Sequence, residues 1–409
     1  MDTVFFVMSL FLKVFTLYFA VVAVFALKKR RRRAQAAPQT RFAVIAAARN
    51  EEAVIGNLVR SVLDQDYPAE LRDVFVVPNN CTDGTEAAAA AAGAEILRCQ
   101  GPVSGKGDAL RQAFAQLQGR RYDAYVVFDA DNTLAPDYLA RMNDAFAGGA
   151  MACKSRTRAA NPTAAGVAGC YGLYNTCFDL IWNRPRAACG LSAKLIGTGF
   201  AFRREVLEEL GGWNTATIAE DAEFSSQLAQ AGCRVEWVPE AVNYDEEPTS
   251  FLASLHQRKR WCSGIMQVAK RRLVPLWQAR CPDAALRWDM TMFLLAGFAQ
   301  ALSGLLLASS LLANLLEGLF TGEILPSLLL PAGMILAYCA GGMVLAAALC
   351  LLGRYGLRGM GKTILLFPVF MASWLPLQII SLFKDTKTWR AVAHQGARKS
   401  AGTVAAPQA

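Results

Sequence analysis

Two long apolar blocks enclose a mixed polar middle, and that layout constrains the fold more than any single motif. Residues 4–27, "VFFVMSLFLKVFTLYFAVVAVFAL", match the roughly 20 residues that a helix needs to cross a bilayer, with Lys13 the one charge inside. The basic run "KKRRRR" at 28–33 comes after the apolar stretch. A secretory signal carries its charge before a shorter apolar core and ends in a small-residue cleavage site. The pattern therefore predicts an uncleaved anchor over 1–28, N-terminus outside, and a basic cytoplasmic linker over 29–40. Lys13 faces either a polar lumen or neighbouring helices, or it snorkels from a tilted helix.

The second block contains "TMFLLAGFAQALSGLLLASSLLANLL" (291–316) and "ILPSLLLPAGMILAYCAGGMVLAAALCLL" (324–352), each long enough to span. Their connector "EGLFTGE" has no Lys or Arg and is expected outside, and the next loop, with Arg354, Arg358 and Lys362, inside. The stretch 363–383 has basic flanks at both ends, so it is read as a re-entrant or interfacial helix broken at Pro368 or Pro376 rather than a fourth crossing. Membrane helices over 291–383 and a basic cytoplasmic tail over 384–409 complete a multi-pass protein of the plasma (inner) membrane. The net charge of +9 gathers at these flanks and within 258–272. That distribution suits an anionic leaflet and does not suggest nucleic acid. Eleven cysteines without a C-x-x-C pair and only two histidines, His256 and His394, argue against a zinc cluster, a disulfide framework or a Ser-His-Asp set.

Residues 41–250 alternate between buried-strand and helix patterns. "RFAVIAAA", "DVFVVPN", "AEILRC" and "AYVVFDA" read as strands; "EEAVIGNLVRSVLDQ", "DGTEAAAAAAG" and "GDALRQAFAQLQG" read as helices. The fold class is α/β with a mostly parallel sheet. Ligands of such sheets bind beyond the carboxyl ends of the strands, where "ARNEE", "NNCTD" and "DADN" fall.

In "FDADN", Asp129 and Asp131 can turn two carboxylates toward one hard divalent cation that keeps positions open for diphosphate oxygens. A lone D-x-D also serves as a turn in which acids cap amides. Glu220 and Asp221 in "AEDAEFS" start an amphipathic helix, a placement the helix dipole alone would favour. "HQRKRW" (256–261) also reads as an interfacial helix with an anchoring tryptophan. "GKGDAL" is not a P-loop: the spacing is one residue short and glycine follows Lys106.

Taken in order, "AARNEE", "NNCTDGT", "GKGDAL", "FDADN", "GTGFAFRREVLEELGGW", "AEDAEFS" and "QRKRW", followed by apolar helices, resemble the membrane-bound family 2 glycosyltransferases, the group of cellulose, chitin, hyaluronan and poly-N-acetylglucosamine synthases. The resemblance implies a GT-A-type nucleotide-sugar-binding domain over 41–250 and an amphipathic interface segment over 251–290. It implies a nucleotide-sugar pocket of Asn50, Glu51, Asn79, Asp83, Lys106 and Asp129, with Mg2+ or Mn2+ on Asp129 and Asp131. Where many relatives carry aspartate, this chain has Asn79, whose amide oxygen can still accept from uracil N3–H. It further implies an acceptor site of Gly197, Thr198, Gly199, Phe200, Glu220, Gln257 and Trp261. Asp221 would be the general base and Arg260 would face the leaving diphosphate, within the Q-x-x-R-W signature of processive members. In the tail, either Trp389 docks near the transfer site when UDP is bound, or the basic segment rests on anionic lipid.

The expected reaction is inverting, metal-dependent transfer from a UDP-sugar to a growing polysaccharide at the cytoplasmic membrane face. One alternative is single glycosylation of a membrane lipid such as diacylglycerol, which the small number of helices favours. A second is a non-catalytic nucleotide-sugar or glycan-binding membrane protein. An export or accessory membrane partner would accompany the polymer reading.

Overall fold

The computed structural model describes residues 2–29, 32–281 and 283–386. Trp389 and most of the basic tail lie outside the described residues. Eight strands form one mixed sheet: β1 (Phe42–Ala48), β2 (Arg72–Pro78), β3 (Glu95–Ile96), β4 (Ala124–Asp129), β5 (Thr133–Leu134), β6 (Ala152–Ala159), β7 (Phe200–Arg203) and β8 (Val235–Asp245), in the order β3-β2-β1-β4-β7-β6-β8-β5. The β3-β2-β1-β4 half is parallel throughout, as is β6 with β8. β7 runs against both its neighbours.

Strand periodicity explains the layers. Side chains alternate across a sheet, so Phe42, Val44 and Ala46 of β1 enter one core with Val74, Val76, Val126 and Phe128. Ala43 and Ile45 enter the other with Phe75, Val77, Tyr125 and Val127. The helices Ile55–Leu63 and Tyr138–Ala147 cover the first face; Lys106–Leu117 and Glu220–Gln230 cover the second. Both faces of the central strands are thus apolar, which is why those strands read as unbroken hydrophobic runs.

Among the described residues, four segments are long and apolar enough to cross a membrane: Phe6–Leu27, Ala284–Thr321, Ile324–Leu352 and Gly361–Phe383. They leave Leu17, Leu325, Leu336 and Phe383 exposed, the surface expected of helices solvated by hydrocarbon. Lys13 is exposed as well. The second helix begins at Ala284, earlier than the apolar run that opens at Thr291, because Asp283 caps it by accepting from Leu286 N–H. The last segment is interrupted at Ser373, with Pro368 inside the unbroken helix Gly361–Ala372. Pro376 has no N–H to offer the preceding turn. Beside the break, buried Arg258 donates to Phe370 O (2.8 Å) and Ser373 Oγ (2.7 Å), and the Ser373 hydroxyl donates to Phe370 O (2.7 Å). Arg258 belongs to Phe251–Gln278, the long helix that packs between the sheet domain and the apolar helices.

Candidate active site

A cleft of about 160 Å3 opens at the carboxyl ends of β1, β2, β4 and β8. Glu51, Asn79, Lys106, Asp129, Asp131, Gly197, Glu220, Asp221, Gln257, Arg260 and Trp261 all line it. Loops after β1, β2 and β4, the segment before β7, two helix starts and the long helix thus converge on one volume. A larger cavity of about 1000 Å3, bounded by Lys29, Arg184 and Trp237, contains none of the candidate catalytic, nucleotide, acceptor or metal residues.

Two of the nucleotide-side residues brace loops rather than line the cleft. Asn50, held at a left-handed φ of 58°, accepts from Thr82 N–H at 2.8 Å. Asp83 accepts from Glu52 N–H (3.2 Å) and Thr85 N–H (3.1 Å), tying the loop after β2 to the loop after β1. Asn79 Nδ2 donates to Ala48 O at 3.0 Å, which leaves its side-chain oxygen as acceptor. Lys106 sits at the start of its helix, its ammonium 2.5 Å from Asp129 Oδ1 and 3.3 Å from Glu220 Oε1. Burial works against its charge, but Asp129 and Glu220 outweigh it and hold the pKa above the ordinary lysine value.

Negative charge is in surplus here. Burial, then Asp131 and Asp129, push the Glu51 carboxyl up to about 9. Asp245, which lines the cleft at the end of β8, and buried Glu247 just beyond it are held well above the carboxylate range by burial and then by Asp131. Asp245 Oδ1 accepts from Asn132 Nδ2 at 2.9 Å, and Glu247 Oε1 from Asn175 Nδ2 at 3.2 Å. Among the described residues no three His, Cys, Asp or Glu side chains are grouped to hold a metal alone. An all-oxygen pair on Asp129 and Asp131, with Lys106 already supplying a cation to one of them, fits a hard divalent ion that takes its remaining ligands from a diphosphate.

Asp221 occupies the first turn of Glu220–Gln230. Its Oδ2 accepts from Gly197 N–H and its Oδ1 from Ala222 N–H, so both oxygens are oriented. Burial, then the adjacent Glu220 charge, bring its pKa to about 7, a value suited to a general base near neutrality. The segment "GTGF" divides by role. Gly197 lines the cleft; Thr198 Oγ1 accepts from Asp129 N–H at 2.9 Å. Gly199, at φ +67°, packs against Asn243. Phe200 does not line an acceptor site: it is the first residue of β7, and its ring stacks on Trp213 in the core at 6.3 Å. The strand alternation that turns its neighbour Ala201 to one face sends Phe200 to the other. Trp261 meets Tyr171 edge-on and stacks with Trp374.

Sequence reasoning missed several participants. Lys154 of β6 is buried, donates to Thr198 O at 2.6 Å, and is brought down to about 8 by burial. Glu223, also fully buried, accepts from Ala216 and Thr217 N–H (2.8 Å each) and pairs with Arg272 at 2.6 Å, fixing the turn before Asp221 to the long helix. The acids of "NYDEEP" were visible in the sequence but carried no spacing that marked them as facing Asp131.

A family model described as Glycosyltransferase like family 2 matches residues 38–264. "Probable glycosyltransferase YdaM" of Bacillus subtilis is 29% identical over 252 residues, 59% of this chain and 59% of that protein. "Beta-monoglucosyldiacylglycerol synthase" of Synechocystis sp. is 31% identical over 255 residues, 61% of this chain and 52% of that protein. The chain thus spans a little over half the length of these curated relatives. The solved structure "Mannosyltransferase PcManGT from Pyrobaculum calidifontis in complex with GDP-Man and Mn2+" superposes with a TM-score of 0.60 at 20% identity, covering 92% of this chain and 98% of that one, and shares its fold. With more than half of its residues matched by the family model, and with a GT-A fold, the chain belongs to glycosyltransferase family 2.

Proposed function

We propose that this protein transfers a sugar from a nucleotide sugar, a UDP-sugar by the character of the Glu51 and Asn79 pocket, to a membrane lipid of the diacylglycerol class. The observation that carries this reading is the convergence of Asp221, the Asp129–Asp131 pair and Arg260 with Trp261 in one cleft, beside the helix that joins the sheet to the apolar helices. Similarity to the Synechocystis diacylglycerol glucosyltransferase supports the lipid acceptor over the polysaccharide expected from Q-x-x-R-W. The catalytic unit would face the cytoplasm, by the basic run after the first apolar helix.

In the proposed transfer, the Asp221 carboxylate takes the proton of the acceptor hydroxyl as its oxygen attacks the anomeric carbon. The new C–O bond forms on the face opposite the leaving phosphate, the old one breaks, and UDP departs with inversion. Lys106 and Arg260 supply positive charge beside the departing diphosphate. A Mg2+ or Mn2+ ion held by Asp129 and Asp131, when bound, would add Lewis-acid stabilisation of the same charge. Trp261 would offer an apolar ring face to a sugar, and Gly197, Thr198, Glu220 and Gln257 would bound the acceptor side.

The test is nucleoside diphosphate release by purified protein across a panel of UDP- and GDP-sugars, with and without diacylglycerol vesicles and EDTA. The reading expects release that needs one donor, a divalent ion and the lipid together. Release that ignores the lipid, or that accompanies a growing polymer, would return the assignment to polysaccharide synthesis.

A further inference from the structure

Asp289 lies near the start of the apolar helix Ala284–Thr321 and has no solvent exposure. Its Oδ1 accepts from Arg186 Nε at 2.9 Å and from the Tyr18 hydroxyl at 2.6 Å; its Oδ2 accepts from Lys194 Nζ at 2.6 Å. Arg186 and Lys194 are equally sealed. The four groups come from four places: the N-terminal helix Asp2–Val24, the short helix Arg184–Cys189, the segment that leads into β7, and the apolar helix. Buried ions cost more to dehydrate than well-packed apolar side chains of the same size, so such a cluster is poor value as a source of stability and better suited to fixing one arrangement. Here one acid also faces two bases, an imbalance that an arrangement built for stability alone would avoid.

What the cluster fixes is the segment 194–198. Leu195 N–H donates to Ser225 Oγ at 3.3 Å, on the helix that carries Asp221. Gly197 N–H donates to Asp221 Oδ2. Thr198 Oγ1 accepts from Asp129 N–H at 2.9 Å, and Thr198 O accepts from Lys154 at 2.6 Å. Four residue steps, about 13 Å at most, therefore connect an acid in an apolar helix to the Asp221 carboxylate and to the backbone of Asp129.

We infer that Asp289 and Lys194 are positioning residues for sugar transfer: their ion pair sets the register of segment 194–198 and thereby aims Asp221. The inference rests on the reading of Asp221 as the base. It makes transfer depend on the seating of the sheet domain on the apolar helices, while donor binding, built from the loops after β1, β2 and β4, does not.

Lys194→Met in the full chain is the deciding variant, because it leaves Arg186 and Asp289 as a balanced pair and keeps an unbranched side chain in place. With the donor that wild type uses, kcat is expected to fall roughly 10- to 100-fold, the loss that a misplacement on the ångström scale produces. The donor KM should stay within about twofold of wild type, the signature of an interaction made only in the transition state. Asp289→Asn should show the same split from the membrane side, although it strands two buried cations and is the harsher change. Wild-type kcat in Lys194→Met, or a parallel loss of kcat, donor affinity and thermal stability, overturns the inference. Hydrogen exchange reads the clamp without turnover: the Leu195 and Gly197 amides should exchange faster in Lys194→Met, and unchanged exchange also overturns it. A wild type that transfers no sugar would instead refute the proposed function, with the exchange result still deciding the clamp.

Discussion

Gly197 and Gly199 make a matched pair for a stability test, because both have left-handed φ (+70° and +67°) and only one is crowded. An added Cβ at Gly197 meets no atom within 4 Å. At Gly199 it would overlap Ser155 Oγ and come within 2.5 Å of Asn243 Oδ1. Alanine at either site costs about 1–2 kcal/mol for the left-handed backbone. At Gly199 it must also displace Ser155, whose hydroxyl lies 2.6 Å from Gly199 O and 2.8 Å from Asn243 Oδ1, and Asn243, whose Nδ2 donates to Asn132 Oδ1 at 2.6 Å. Each buried polar group left unpaired costs roughly 1–3 kcal/mol, so Gly199→Ala should be worse than Gly197→Ala by about 2–5 kcal/mol. For a domain of this size that separates the thermal midpoints by roughly 5–15 °C. Detergent-solubilised variants compared at one scan rate give the difference directly, since unfolding of such a protein is a rate-dependent measurement. Equal midpoints would show that the Ser155–Asn243–Asn132 network does not hold the turn beside Asp129.

With Asp221 near 7, kcat/KM should climb about tenfold per pH unit below neutrality and level off above it. The sign for stability is the reverse: its folded pKa lies above the ordinary 3.8, so stability is lost as pH rises from that value through about 7, and Asp221→Asn should raise the thermal midpoint at pH 8 more than at pH 5. Lys106→Met removes the ammonium from Asp129 and Glu220; transfer should drop about 100-fold, while less metal should be needed for half-maximal activity because the competing cation is gone. Arg258→Met removes the guanidinium from Phe370 O and Ser373 Oγ beside the Ser373 break; Phe370 O keeps the Ser373 hydroxyl at 2.7 Å, so the loss should be about 1 kcal/mol with the donor KM unchanged, and a change confined to KM would contradict the structural role.

The parallel half of the sheet was legible because β1, β2 and β4 are apolar on both faces and end in polar clusters at the cleft. Asp129, Asp131 and Asp221 were legible for the same reason: each follows directly from a strand end or a helix start. β7 was not, because an antiparallel four-residue strand has no pattern distinct from a buried turn. The Asp289 cluster was also invisible, since Tyr18, Arg186, Lys194 and Asp289 are isolated in sequence and acquire meaning only when four elements meet. Phe200 shows the limit of motif transfer: the backbone around it borders the cleft while its ring belongs to the core. Glu223 carries no sequence signal of its own, yet it anchors the long helix through Arg272.

The most direct test of the account is to supply labelled nucleotide sugar to the full chain in diacylglycerol vesicles and to partition the products between organic and aqueous phases, beside Asp221→Asn. The account predicts label in the organic phase from wild type and a reduction of roughly 100- to 10,000-fold in the variant. Label in an aqueous polymer would contradict the lipid acceptor, and equal transfer by Asp221→Asn would contradict the base on which the mechanism stands.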